Sequence, residues 1–163
     1  MNPVTSLFQC SAVALTFAVP AFGQAERVGF TDAAFVNSTG SGSARIAARV
    51  YYPAQSAGRD APLKARSGGW PALVFLHGLG GLGRFYTDLG AHFAARGYIA
   101  VQHDTGQFSS ATQARDAAAL FSILRTETNS TTSFFRGAFD MQRIAIGGHS
   151  MGGGNTIRTL AAN

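Results

Sequence analysis

The chain has 163 residues, 46% of them apolar and only 13% charged, which fits one ordinary globular domain and excludes a charge-solvated disordered chain. Its net charge of +5 comes from 13 Lys and Arg against 8 Asp and Glu, but the twelve arginines are scattered and form no basic stripe, so nucleic acid is not an expected partner. Glycine is abundant, 20 of 163, without a collagen-like period, which points to tight turns and close backbone approaches.

Residues 1–25 carry no charged side chain. An apolar run over 12–19 is closed by Pro20, and Gly23-Gln24-Ala25 offers the small residues that a signal peptidase reads. We expect a signal peptide over 1–25, a secreted or periplasmic destination, and a catalytic-domain portion over 26–163. A buried N-terminal strand or helix is the competing reading, since the leader lacks Lys and Arg. The run is too short to cross a bilayer, which takes about 20 residues, so no stable membrane anchor is expected. Cys10, the one cysteine, precedes the run, so neither a lipid anchor nor thiolate or disulfide chemistry is expected of the mature chain.

Residues 30–42 read as an edge strand and a turn. Over 45–52, Ile46, Ala48, Val50 and Tyr52 share one face and Arg45 and Arg49 the other, the period of a half-buried strand. Pro53 should stop it, and 54–69 reads as a polar loop. The apolar run 71–76 fits a strand buried on both faces. After a Gly-rich turn, Phe85, Leu89 and Phe93 recur at helical spacing up to Gly97, a C-terminal cap. A second buried strand covers 98–102. A helix follows over 110–126, with Ala114, Ala117, Ala118, Phe121 and Leu124 on one stripe. A polar loop spans 129–137, a third buried strand 143–147, and a helix begins at 155. The alternation predicts an α/β fold, a mostly parallel sheet flanked by helices with right-handed crossovers.

Between the third strand and the last helix stands Gly148-His149-Ser150-Met151-Gly152, which matches G-x-S-x-G in a strand–turn–helix context. The turn is sharp enough to strain Ser150, and a Cβ at Gly148 or Gly152 would collide with its neighbours. Ser150 is thereby raised as a nucleophile, with the Met151 backbone N–H at the helix start facing a developing oxyanion. A second donor is expected from the turn His77-Gly78-Leu79-Gly80-Gly81, where the Leu79 N–H is the candidate. A phosphate-binding loop of the G-x-x-x-x-G-K-[ST] kind is excluded because no Lys lies near this turn. No H-E-x-x-H or comparable ligand set occurs, so neither a metal nor another cofactor is expected.

With these motifs the sequence resembles the α/β-hydrolase superfamily. Phe75-Leu-His-Gly-Leu-Gly-Gly81 and the stretch from Phe85 to Tyr98 are similar to platelet-activating-factor acetylhydrolase and dienelactone-hydrolase-like esterases. Phe139-Asp-Met-Gln-Arg-Ile-Ala-Ile-Gly-Gly-His-Ser-Met-Gly-Gly-Gly154 resembles bacterial cutinases and polyester hydrolases. In the latter group an aromatic commonly follows the oxyanion-turn glycine, where this chain has Leu79. The resemblance implies a serine carboxylic-ester hydrolase with a small-molecule or polymeric ester substrate; a lipase, acyltransferase or peptidase would keep the same nucleophile.

It also implies a triad in the order Ser, acid, His, yet the thirteen residues after Ser150 hold no His, Asp or Glu. His77 is read as hydrogen-bonded at its strand end, His92 as solvated and His149 as packed against the turn. His103-Asp104 ends a strand on the catalytic edge, where a base role would break the family order. The expectation is therefore the N-terminal half of a hydrolase catalytic domain, with little turnover by itself; the alternative is a non-catalytic binding module.

Overall fold

The computed structural model describes residues 25–161. Cys10 and, but for Ala25, the expected leader lie outside them. Strands β1 (Arg27–Val36) and β2 (Arg45–Ala54) are followed by the two-residue β3 (Gly58–Arg59) and by β4 (Trp70–Leu76). A 3-10 turn (Gly83–Tyr86) leads into α1 (Thr87–Ala94). Then come β5 (Ile99–His103), α2 (Ser110–Asn129), β6 (Phe139–Gly148) and α3 (Met151–Ala161).

The strands form one sheet in the order β3-β1-β2-β5-β4-β6. β5, β4 and β6 run parallel, whereas β2 is antiparallel to β1 and to β5. The connections explain the mixture. Parallel neighbours need a crossover, and α1 and α2 supply it; the short loop 37–44 can only return β1 to β2 as a hairpin. The α/β architecture expected from the alternation of elements is what the chain adopts.

β2 shows how the pattern becomes a core. Ile46, Ala48, Val50 and Tyr52 are 0–3% exposed and pack with Leu120, Ile123 and Leu124 of α2. Each buried Val, Leu or Ile side chain among them contributes about 1.5–3 kcal/mol on leaving water. Tyr51 points to the other face, where it clusters with Ala94 and Ala100. Helices thus cover both faces, α2 and α3 on one and α1 on the other.

Four local expectations are corrected. β2 runs past Pro53 to Ala54, because the terminal residues of a strand tolerate a missing donor and the Pro53 carbonyl still accepts from Lys64 N at 2.9 Å. The stripe Phe85, Leu89 and Phe93 is not the inner face of α1: Phe85 precedes the helix, and Leu89 and Phe93 are only half-buried, Phe93 at the margin of the Tyr51 cluster. Phe85 is 69% exposed, and the helix turns Gly90 and Ala94 inward, because the Tyr51 ring leaves space only for small residues. α2 is longer than expected and rotated: Gln113, Asp116, Leu120 and Ile123 join Ala117 and Leu124 on the buried face. Its start is capped by the Ser109 hydroxyl, which accepts from Thr112 N at 3.2 Å. β6 is not buried on both faces. Among the described residues it pairs only with β4, and Gln142, Arg143 and Ala145 are exposed.

Beneath the carboxyl ends of the parallel strands lies a set of buried polar side chains: His77, His103, Asp104, Gln113, Asp116 and Asn155. Asp116 accepts from Ser43 N at 2.6 Å, Ser43 Oγ at 2.7 Å and Thr105 Oγ1 at 2.5 Å, tying the β1–β2 hairpin to the loop after β5. Asp104 is held by Arg84, with Nη2 at 2.6 Å. Among the described residues, His103 has no hydrogen-bond partner on either ring nitrogen and stacks on His77 at 5.8 Å.

Two outcomes follow. A Cβ at Gly90 would overlap Tyr51 Cδ2 and stand 2.8 Å from Gln102 Nε2. Overpacking costs about 1–3 kcal/mol against a helix-propensity gain of about 1 kcal/mol, so Gly90→Ala should lower the urea midpoint. Burial, reinforced by the His77 ring and opposed by Asp116 and Asp104, pushes the His103 imidazole from its ordinary 6.5 down to about 4. As pH falls below 6.5 the unfolded chain takes up a proton that the folded chain refuses until about pH 4. Stability should therefore drop across that window, by on the order of 3 kcal/mol in full, and level off below it. Urea titrations between pH 7 and pH 4 should show this slope, and His103→Leu should flatten it.

Candidate active site

Register brings two loops to the same place. In the parallel pairing, Leu76 of β4 stands beside Gly148 of β6 and beside His103 of β5. The turn that begins at His77 and the bend that begins at Gly148 therefore leave the sheet side by side. The His149 N–H donates to the Leu76 carbonyl at 3.0 Å, which carries strand-like pairing one residue into the bend.

At the bend the backbone is strained. Ser150 has φ +52°, a left-handed conformation that costs a non-glycine residue about 1–3 kcal/mol and persists only where its surroundings impose it. The surroundings are the glycines. A Cβ at Gly152 would overlap the Leu76 carbonyl oxygen and lie 2.7 Å from the His77 carbonyl oxygen; one at Gly148 would lie 2.8 Å from Leu76 O. With no side chain at either position, α3 starts directly against the end of β4, and Ser150 is left exposed.

The facing turn is built the same way. A Cβ at Gly78 would lie 3.5 Å from Ser150 Cβ and 3.0 Å from His149 Nδ1, so the two loops touch there. Tyr86 Oη bridges them. It accepts from Gly78 N at 3.3 Å and lies 3.0 Å from His149 Nδ1, while its ring packs 4.7 Å from Phe75. The amides of Gly80 and Gly81 donate to Gln107 O at 2.7 Å and Gly78 O at 3.0 Å. Leu79 is the turn's exception. Among the described residues its N–H has no acceptor, and the same holds for the Met151 N–H at the start of α3. These are the two amides that the motifs single out as oxyanion donors.

The histidines lie where none can take a proton from Ser150. His77 is buried, with Nδ1 2.8 Å from Gly78 O and Nε2 3.1 Å from Thr105 O. His103 is buried beneath it, His149 is turned to Tyr86, and His92 lies beside Arg96 on the exposed side of α1. Among the described residues, no group of three His, Cys, Asp or Glu side chains is placed to hold a metal. Chemically, the site offers an exposed serine and, among the described residues, two unpaired amides and no neighbouring base.

Three residues that matter here were not singled out in the sequence. Tyr86 follows the more conspicuous Phe85. Gln113 and Asn155 are polar residues on buried helix faces; the visible signal was a polar side chain interrupting an otherwise apolar stripe.

The glycine packing gives a paired test. Gly152→Ala forces a Cβ against backbone that cannot give way, and should cost at least about 2 kcal/mol or leave the protein insoluble. Gly154, with nothing within 4 Å of its Cβ position, should gain about 0.5–1 kcal/mol on replacement by Ala in the same helix. Thermal unfolding of the two variants checks both signs.

No curated protein matches the chain. The model of the Chlorophyllase family matches residues 59–162, a stretch that runs from β3 through the β4 turn and the Ser150 bend into α3. That stretch covers more than half of the chain and contains both loops of the site. The chain belongs to the chlorophyllase family, a family of carboxylic ester hydrolases within the α/β-hydrolase superfamily.

Proposed function

We propose that the chain carries the nucleophile and oxyanion hole of a serine carboxylic-ester hydrolase. Ser150 Oγ attacks the ester carbonyl carbon, and the carbonyl oxygen becomes an oxyanion that accepts from Leu79 N–H and Met151 N–H. Collapse of the tetrahedral adduct expels the alkoxide, which leaves protonated as the alcohol, and an acyl group remains on Ser150; water then releases the acid. A serine hydroxyl needs a base for this step, and we assign the base and its acid partner to residues outside 1–163. The observation that carries the reading is Ser150 itself, exposed and held at φ +52° between two glycines whose Cβ positions are filled by neighbouring backbone, a strain of the kind that clusters at active sites.

The substrate side of the reading is an apolar ester. Leu79 and Phe108 are 66% and 83% exposed, and the Phe108 ring lies 3.3 Å from the Cβ position of Gly80, next to Leu79 in the turn. The family's name points to a large apolar ester, chlorophyll. The likeness of the β4 turn to platelet-activating-factor acetylhydrolases and of the bend to cutinases points instead to phospholipid-like acetyl esters or polyesters. A secreted or periplasmic setting accompanies the leader reading of 1–25. The second reading, a hydrolase-fold module that binds without turnover, is favoured by one observation: no histidine among the described residues reaches Ser150.

A fluorophosphonate probe applied to the full-length protein that carries these residues should label Ser150 and nothing else. Ser150→Ala should abolish labelling and lower kcat for activated esters by about 10³-fold or more, whereas residues 1–163 alone should show no rapid turnover. Absence of labelling in a folded full-length protein would favour the binding module. A panel from short acyl esters through chlorophyll to polymer film ranks the substrates.

A further inference from the structure

Behind the two loops, a run of buried amide side chains joins the elements that carry the two free amides. Gln113 in α2 is 0% exposed and Asn155 in α3 is 1% exposed. Gln113 Nε2 donates to the His77 carbonyl at 3.1 Å, immediately before the turn that holds Leu79. It also lies 3.3 Å from both His77 ring nitrogens. Gln113 Oε1 accepts from Asn155 Nδ2 at 2.8 Å. Asn155 Oδ1 accepts from Ser110 Oγ at 2.5 Å, and Ser110 Oγ accepts from Arg158 Nη1 at 3.2 Å. Each link from Arg158 to the His77 carbonyl has one donor and one acceptor, so no member competes with its neighbour for a proton.

The position of this chain is informative. Asn155 lies five residues beyond Ser150 on the helix that starts with Met151, and the His77 carbonyl lies two residues before Leu79. We propose that Gln113 and Asn155 are positioning residues that set the spacing of the Leu79 and Met151 amides, and with it the fit of the hole to an oxyanion. The inference rests on the ester-hydrolase reading. A chain of hydrogen bonds is directional and fixes separation to a few tenths of an ångström. Apolar side chains of equal volume would fill the same space and hold the fold nearly as well, without imposing that spacing. The oxyanion is longer-reaching and more charged than the ester carbonyl it replaces, so mispositioned donors weaken the transition state more than they weaken substrate binding.

The test uses the full-length protein, with kcat expressed per site titrated by a fluorophosphonate. Gln113→Leu should lower kcat about ten- to a hundredfold while KM stays within about twofold, the pattern of an interaction made in the transition state. Asn155→Leu should behave alike, and the double variant should lose little more than the worse single one, because both cut one chain. Ser110→Ala breaks the chain at its partly exposed end and should lower kcat about threefold while the protein stays folded, with a modestly lower unfolding temperature for the unpaired Asn155 Oδ1; it keeps the proposal testable if the Leu variants do not fold. Unchanged kcat per titrated site in Ser110→Ala and in any folded Leu variant would overturn the proposal, as would a loss carried by KM alone. Ser150→Ala separates the two ideas. If it is inactive while the chain-breaking variants turn over normally, only the positioning role falls; if it turns over normally, the ester-hydrolase reading falls and this inference with it.

Discussion

Where the end of β4 meets the start of α3, no side chain can enter. The Leu76 and His77 carbonyls fill the space that a Cβ on Gly152 would occupy, and Leu76 O crowds that of Gly148. Much else follows from this backbone-to-backbone contact. It draws the helix start under the β4 turn, turns Ser150 into its left-handed conformation and leaves the Met151 amide without an acceptor among the described residues. The contact supplies little hydrophobic energy of its own. The apolar layer between β2, β4, β5 and α2 provides the stability against which about 1–3 kcal/mol of local strain is sustained.

The polar groups beneath the site divide into two kinds. Gln113, Asn155 and Asp116 are bonded in consistent donor–acceptor patterns, so their burial costs little and adds directional rigidity. His103 is the opposite case, buried with both ring nitrogens unpartnered among the described residues and therefore held neutral, at the expense of acid stability. On the α1 face of the sheet, toward β1, Asp32 is drawn down to about 2 mainly by Arg49, with Arg59 assisting. Its side chain is 44% exposed, so that pair is screened by water and serves solubility and register more than stability.

What could be read in the sequence is what repeats or what is forbidden. Period-two burial in β2, the apolar runs of β4 and β5, and the alternation of strands with helices carried the architecture. The glycines at 148 and 152 carried the bend, because only one side-chain size fits there. The rotation of α2 and the inward face of α1 were not legible. Both depend on partners distant in sequence, the Tyr51 ring for Gly90 and the hairpin at Ser43 for Asp116. Helical spacing names a stripe without saying which neighbour awaits it. For β6 the apolar run states that the strand can be buried, and among the described residues it has a partner on one side only. The Gln113–Asn155 contact joins residues 42 apart, and amide side chains on buried faces resemble any polar interruption until their partners are known.

The central claim is geometric: one backbone amide from the β4 turn and one from the start of α3 share a single oxygen. A crystal structure of the full-length protein with Ser150 phosphonylated tests this most directly. The account predicts the phosphonyl oxygen about 2.7–3.1 Å from both Leu79 N and Met151 N, with the Gln113–Asn155 bonds intact behind them. A phosphonyl oxygen directed to solvent, or to donors other than these two, would contradict it.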